Sequence, residues 1–296
     1  METHNLDSWE AFEEVVKQIK IETEELKKSR QTISLTTPII YRGQADSRWH
    51  LKSVLERKIK KDIRVDSYFN LMLKIWNSHA SRFKNKWLNF ENEIRGLNVN
   101  SIHLFPTADA NSNDIISFMA HLRHHGFPSP LLDWTANSLI AAFFAFGDIP
   151  DSAERIAIYT FRKDTGYMSD MSNMSEPTVI EIGPNIPGIE RHENQESHYT
   201  LCVQQDNIGN FKNATFANME KDINKSGFYL NGNDNDIDRD LVENVTNKYT
   251  IPVSERNKVL KKLQTMNINR CFLFQEETED SQLFDYWNII LANEQI

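Results

Sequence analysis

Apolar positions near the start of the chain recur at steps of three and four. After Ser8, a residue suited to an N-cap, Trp9, Phe12, Val15, Val16 and Ile19 share one side of a 3.6-residue repeat, which predicts an amphipathic helix to about Lys28. Polar residues over 29–37 close it. Pro38-Ile39-Ile40-Tyr41 then forms a short β-branched run ending at Gly43, the pattern of a buried strand. Residues 51–97 read as helical, with Tyr68, Leu71, Met72, Ile75 and Trp76 on one face, and a further helix fits 114–124. Residues 131–133 read as a short extended piece. The helix expected from about Asn137 is apolar on every side over 139–146, so it should be buried.

The period changes in the second half. Residues 155–161, 178–182 and 198–203 are rich in β-branched and aromatic side chains and read as strands. Helices first and strands later predict an α+β fold, a single mixed domain with a helical N-terminal half and a strand-rich second half. Residues 231–240, with Asp234, Asp236, Asp238 and Asp240, read as a solvated acidic loop. A calcium loop counted from Asp234 would need Gly where Arg239 stands and Glu where Val245 stands. Ser254 is placed to cap a helix to about Met266, residues 270–274 read as a strand, and 280–291 as a last amphipathic helix.

Composition narrows the class. Of 296 residues, 40% are hydrophobic and 25% charged, which excludes disordered and collagen-like chains. The net charge of −9 argues against broad adhesion to nucleic acid or anionic lipid, though not against a local basic patch. Two cysteines, Cys202 and Cys271, make no disulfide framework and no zinc spacing. The first residues are acidic and lack a signal-peptide core, and no run reaches the roughly 18 apolar residues of a membrane span, so a cytoplasmic protein without membrane contact is expected. The sequons at Asn213 and Asn244 then read as accidents of an Asn-rich chain.

Two segments carry candidate chemistry. Tyr41-Arg42-Gly43-Gln44 puts an arginine at a strand end, next to a glycine that would let a backbone approach a ligand, and arginine suits bidentate recognition of phosphate or carboxylate. The alternative is a strand-end arginine in an ion pair. The second segment, 121–135, holds His121, His124 and His125, then Gly126, Pro128 and Pro130, then Asp133-Trp134-Thr135. His121 and His125 lie one helical turn apart, but no glutamate completes a catalytic zinc motif and no third ligand is suggested by spacing, so no metal is expected. An acid, a ring and a hydroxyl delivered together suit a nucleotide or nicotinamide pocket. Equally, they suit a helix cap, with Thr135 or Asn137 as N-cap and Trp134 in the core.

These residues resemble the FRG domain, a bacterial family named for an aromatic-Arg-Gly motif. Its second motif runs roughly Gln-His-aromatic-Gly-Leu-Pro-Thr-Arg-Leu-Leu-Asp-Trp-Thr and leads into an Ala/Phe-rich helix. The chain keeps His124, Gly126, Pro128, Leu131, Leu132, Asp133, Trp134 and Thr135, followed by Ala141-Ala142-Phe143-Phe144-Ala145. It departs with Arg123 for Gln, His125 for the aromatic, Phe127 for Leu, Ser129 for Thr and Pro130 for Arg. A third motif, Arg, three residues, Gln, then small and aromatic residues, is similar to Arg191-His192-Glu193-Asn194-Gln195-Glu196-Ser197-His198-Tyr199-Thr200, with Ser197 in place of the usual Gly; a closing helix at Ile251-Pro252 and a strand at 271–274 complete the likeness. On this reading residues 37–296 form the family domain and 1–36 an N-terminal helical extension.

The resemblance implies a relative of the ADP-ribosyltransferases, an NAD-dependent enzyme of toxin or anti-phage defence systems with an ADP-ribosyltransferase-like core. Matched by motif, Tyr41, Arg42, Gly43, Gln44, His124 and His125 would bind NAD, Arg42 at its phosphates or ribose, with Asp133, Trp134 and Thr135 framing its nicotinamide end. Gln195 with Glu196 would stand at the third catalytic position beside Arg42. A neutral Gln offers no anion to an oxocarbenium-like transition state, so Glu196 or another acid would have to help; Glu190, Glu193 and the Glu276-Glu277 pair are alternatives. Partners implied are NAD, an RNA or protein acceptor and a neutralising antitoxin or immunity protein. The other readings are an NAD glycohydrolase and a non-catalytic nucleotide- or nucleic-acid-binding regulator. Residues 48–86 support an acceptor surface by charge: eleven Lys and Arg against three acidic residues give +8, leaving −17 for the rest. Trp49, Tyr68, Trp76, Phe83 and Trp87 interleave with these cations, either to stack bases or to face the core.

Overall fold

The computed structural model describes residues 1–29, 39–59, 63–79, 83, 86–96, 114–162, 177–184, 186, 190–204, 215–218, 220 and 245–274. Its centre is one eight-stranded sheet. The strands are β1 (Glu2–Asn5), β2 (Ile40–Gln44), β3 (Leu132–Thr135), β4 (Arg155–Arg162), β5 (Thr178–Ile182), β6 (Ser197–Gln204), β7 (Thr215–Phe216) and β8 (Val245–Pro252). They lie in the order β1-β8-β4-β2-β3-β6-β5, with β7 also on β6. The β1–β8 pair is parallel and every other pairing antiparallel. Mixed helix and strand around one sheet is the α+β single domain expected. β4 is buried from Ile156 to Phe161 without alternation because it is flanked by β2 and β8 and covered on both faces.

Two helical layers complete the core. α1 (Trp9–Ser29), α6 (Ser138–Phe146) and α8 (Arg256–Thr265) bring Trp9, Phe12, Ala141, Ala145, Phe146, Val259 and Leu263 onto Tyr41, Ile156, Ile158, Tyr249 and Ile251. The central apolar helix expected after Asn137 is α6, and Asn137 is its N-cap, its Oδ1 accepting from the Leu139 amide at 3.0 Å. A second core joins α3 (Val65–Ser78), α4 (Phe90–Gly96) and α5 (Asp114–His124) to Tyr199, Leu201 and Val203 of β6. Tyr68, Trp76, Phe83 and Trp87 all belong to this core, so the ring periodicity in the basic stretch is a packing signal; Trp49 alone of those five rings is exposed, at 47%.

Several expectations are corrected. The helical run at 51–97 is broken: α2 (Val54–Lys58) is a short helix with a Ser53/Glu56 capping box, and Ile59 after it turns to extended backbone. Residues 270–274 form a helix, α9 (Arg270–Leu273), instead of a strand, because Asn269 caps it by accepting from the Phe272 amide at 3.0 Å. Ile251-Pro252 end strand β8, and the helix of that region begins only after a 3-10 turn at Val253–Glu255. β8 and the four-residue β1 carry little apolar alternation and were not legible as strands. β1 docks on β8, and α1 is pinned by Lys258 to Glu10 and Lys262 to Glu13. The acidic loop at 231–240, the helix at 280–291 and the Glu276-Glu277 pair lie outside the described residues.

Candidate functional site

β2 and β3 are neighbours joined at a single register, Tyr41 opposite Thr135. Beyond it the ladder stops, and a cleft of about 820 Å³ opens beside the parted strands. The Asp133 carbonyl, past the last paired position, takes its hydrogen bond from a side chain: Nη1 of Arg42 donates to it at 2.6 Å. Arg42 thereby does the work of a strand amide, with its side chain only 14% exposed.

A cationic group surrounds Asp133. Nη2 of Arg123 donates to Asp133 Oδ2 at 2.6 Å, and Arg42 Nη1 lies 3.8 Å from the same oxygen. Burial alone would raise the Asp133 carboxyl, yet Arg123, Arg42 and His124 together hold it below the usual carboxylate range. Burial pushes the Arg42 guanidinium down to about 10, with Asp133 pulling it up and Arg123 and Arg57 pushing it down, so it is a cation at neutral pH. Arg57, on α2, is lowered by burial and then by Arg123. Three guanidinium groups thus face one carboxylate, and Nε of both Arg42 and Arg123 has no hydrogen-bond acceptor among the described residues. A surplus of buried donors and positive charge is what a multiply charged anion satisfies.

The remaining walls come from three directions. His124 ends α5, Tyr199 sits on β6, and Gln195 opens the turn after α7 (Glu190–Asn194). Gln195 is buried and its Nε2 donates to the Leu273 carbonyl at 2.9 Å, tying α9 to the cleft. Trp49, Phe144 and Phe274 add aromatic surface, the latter two meeting edge to face at 6.0 Å.

Tyr41, Arg42, Gly43, Gln44, His124, Asp133, Trp134, Thr135 and Gln195 all line this cleft, residues up to 154 positions apart in the chain. His125 and Glu196 do not. His125 packs on His121 at 4.3 Å, on the flank of α5. Glu196 is exposed at φ 44° and accepts from Asn137 Nδ2 at 2.8 Å, a turn residue bracing the start of α6. Trp134 is part of the cap-and-core arrangement: its ring packs on Phe161 and its Nε1 donates to Thr200 Oγ1 at 2.8 Å, while Thr135 Oγ1 accepts from the Asn137 amide. Gly43 lines the cleft, but its missing side chain makes room for α6, since a Cβ there would sit 1.9 Å from the Ala141 carbonyl oxygen.

Sequence reasoning passed over Arg57, Arg123 as a site residue, His192 and Tyr199. Arg57 was one cation among eleven in its stretch. Arg123 was visible as a departure from the family pattern, in a motif that also lacks its usual arginine at Pro130; its pairing with Asp133 shows that the departure still places a cation at the motif's acid. His192 and Tyr199 fall inside the third motif, but the sequence gave neither a chemical role because their side chains meet only through the packing of α7 on β6.

No curated protein and no solved structure matches the chain. Residues 37–154, which contain β2, the cationic group and the strand that carries Asp133, match the FRG domain.

Proposed function

We propose that the protein binds NAD in the cleft between β2 and β3 and transfers its ADP-ribose to a macromolecule, RNA or protein. The observation that carries this reading is the cluster of Arg42, Arg57 and Arg123 around the single carboxylate of Asp133, a net positive site suited to a diphosphate. Cleaving the glycosidic bond of NAD develops positive charge on the ribose and releases a neutral base. Groups that orient the ribose in a walled site favour that transition state. Incubation of the purified protein with labelled NAD and cell extract tests the reading: nicotinamide release with label on protein or RNA is expected, and no release with no transferred label under any acceptor condition sinks it. Free ADP-ribose as the only product would make the protein a glycohydrolase.

A second reading, a nucleotide- or nucleic-acid-binding regulator without turnover, is favoured by one observation. Glu196 lies outside the cleft and the Gln195 amide is engaged with Leu273, so no acid stands at the third motif position. Saturable, salt-dependent binding without nicotinamide release is its signature. A role as a toxin or anti-phage effector with a neutralising partner rests on the family resemblance. Growth arrest on induced expression in a bacterial host, lost in Arg42→Ala, is its test.

A further inference from the structure

Three polar atoms from three separate elements converge at the cleft: Nε2 of His124 on α5, Nε2 of His192 on α7 and the hydroxyl of Tyr199 on β6. The Tyr199 oxygen lies 2.6 Å from His192 Nε2 and 3.0 Å from His124 Nε2, and the two imidazole nitrogens are 2.7 Å apart. Bare lone pairs repel at such separations, so protons must lie between these atoms. A phenol donates once and still accepts, and each neutral imidazole has one donor and one acceptor nitrogen. One arrangement that serves both contacts of the phenol has His124 Nε2–H donating to the Tyr199 oxygen and the Tyr199 hydroxyl donating to His192 Nε2. Two imidazolium groups cannot be accommodated at 2.7 Å, so the cluster takes up at most one additional proton.

His124 and Tyr199 line the cleft and His192 does not; Tyr199 and His192 are both buried, at 1% and 4% exposure. We propose that Tyr199 and His192 form a proton relay that deprotonates the attacking acceptor, with His124 as the positioning residue that orients the phenol. This rests on the transfer reading above. In the step, an acceptor hydroxyl gives its proton to the Tyr199 oxygen as the phenolic proton passes to His192 Nε2. The acceptor oxygen bonds to the anomeric carbon of the ribose, and the carbon–nitrogen bond breaks, its electron pair neutralising the nicotinamide ring. His192 leaves the step as an imidazolium and later releases the proton to solvent. Among the described charged groups, Asp133 on β3 feels His124, and that carboxylate is itself held by Arg123 on α5 and Arg42 on β2, with Arg57 on α2 beyond them.

The experiment combines kinetics with histidine titration on the full chain. Tyr199→Phe keeps the ring and removes the hydroxyl, and His192→Gln keeps a polar side chain; melting curves check that both fold. Transfer by Tyr199→Phe is expected to fall about a hundredfold or more in kcat, with the KM for NAD nearly unchanged. The acid limb of the kcat profile should disappear in His192→Gln. Separately, imidazole ¹⁵N NMR should show His124 and His192 titrating as a coupled pair that uncouples in Tyr199→Phe. Full transfer activity with an unaltered pH profile in Tyr199→Phe overturns the relay while leaving the transfer reading intact. If no NAD turnover is seen at all, the transfer reading fails and NMR alone decides: independent titration of the two imidazoles, indifferent to Tyr199→Phe, overturns the relay, and coupled titration retains it as a proton-storing unit.

Discussion

Arg42 donates through Nη1 to the main-chain carbonyl of Asp133 at 2.6 Å, across the point where β2 and β3 part after one paired register. A side chain thus replaces a rung of the sheet, and the space beyond that rung is the cleft. The same guanidinium closes the sheet and lines the cleft, so a substitution there acts on the sheet and on the proposed site together.

Arg42→Ala should therefore do two things. It leaves the Asp133 carbonyl unpaired, a loss of about 1–3 kcal/mol, and it removes one of the three cations of the site. Lower thermal stability together with at least tenfold weaker binding of NAD, read by calorimetry, is expected. Unchanged affinity in a folded variant would take Arg42 out of the site.

Gly43→Ala should be the most damaging small substitution in β2. The added Cβ would meet the Ala141 carbonyl oxygen at 1.9 Å and the Ala145 amide nitrogen at 2.7 Å, both backbone atoms of α6 that cannot rotate away. Overpacking of this kind costs about 1–3 kcal/mol or more, and urea denaturation should show it as a lower midpoint.

The paired state of Asp133 sets a pH dependence. Its carboxyl is lowered in the folded protein, because Arg123, Arg42 and His124 outweigh its burial. A depressed acid contributes stability that is fully present above the ordinary aspartate value of about 3.9 and is lost as the pH falls through the lowered folded value. Urea midpoints of the wild type and Asp133→Asn should therefore differ by a constant amount near neutrality, and the gap should narrow at acidic pH. A gap that widens on acidification would contradict the pairing.

The rings of the basic stretch should separate into two groups. Trp76→Ala and Trp87→Ala remove fully buried side chains and should destabilise by about 3–5 kcal/mol. Trp49→Ala, at 47% exposure on the cleft, should alter stability by no more than about 0.5 kcal/mol while weakening nucleotide binding. Equal loss of stability at all three positions would place Trp49 in the core.

Gln195→Glu tests the third motif position directly. The substitution brings a carboxylate oxygen to the Leu273 carbonyl that now accepts from the amide. Lower thermal stability with no gain in NAD turnover is expected, and a gain in turnover would show that the position needs only a charge.

The amphipathic and buried runs made most of the fold legible. α1, α5, α6, β2, β4, β5 and β6 were all read within a few residues of where they lie, because each has a period or a β-branched run that sheet and helix geometry demand. β1, β8 and α9 were missed or misread. The first two owe their place to pairing partners far away in the chain, and α9 owes its helix to one capping asparagine.

The site divides in the same way. The motif residues Tyr41 to Gln44, His124, Asp133 and Gln195 could be named from sequence because each belongs to a short, ordered string of residue types. Only the tertiary structure decided which motif residues face the cleft, since His125 packs aside on His121 and Glu196 is turned outward to Asn137. It alone also assembled Arg42, Arg57 and Arg123 around Asp133, and His124, His192 and Tyr199 around shared protons. Such groupings arise from strand order and helix packing, and residues brought together across 75 positions of chain leave no periodic trace in it.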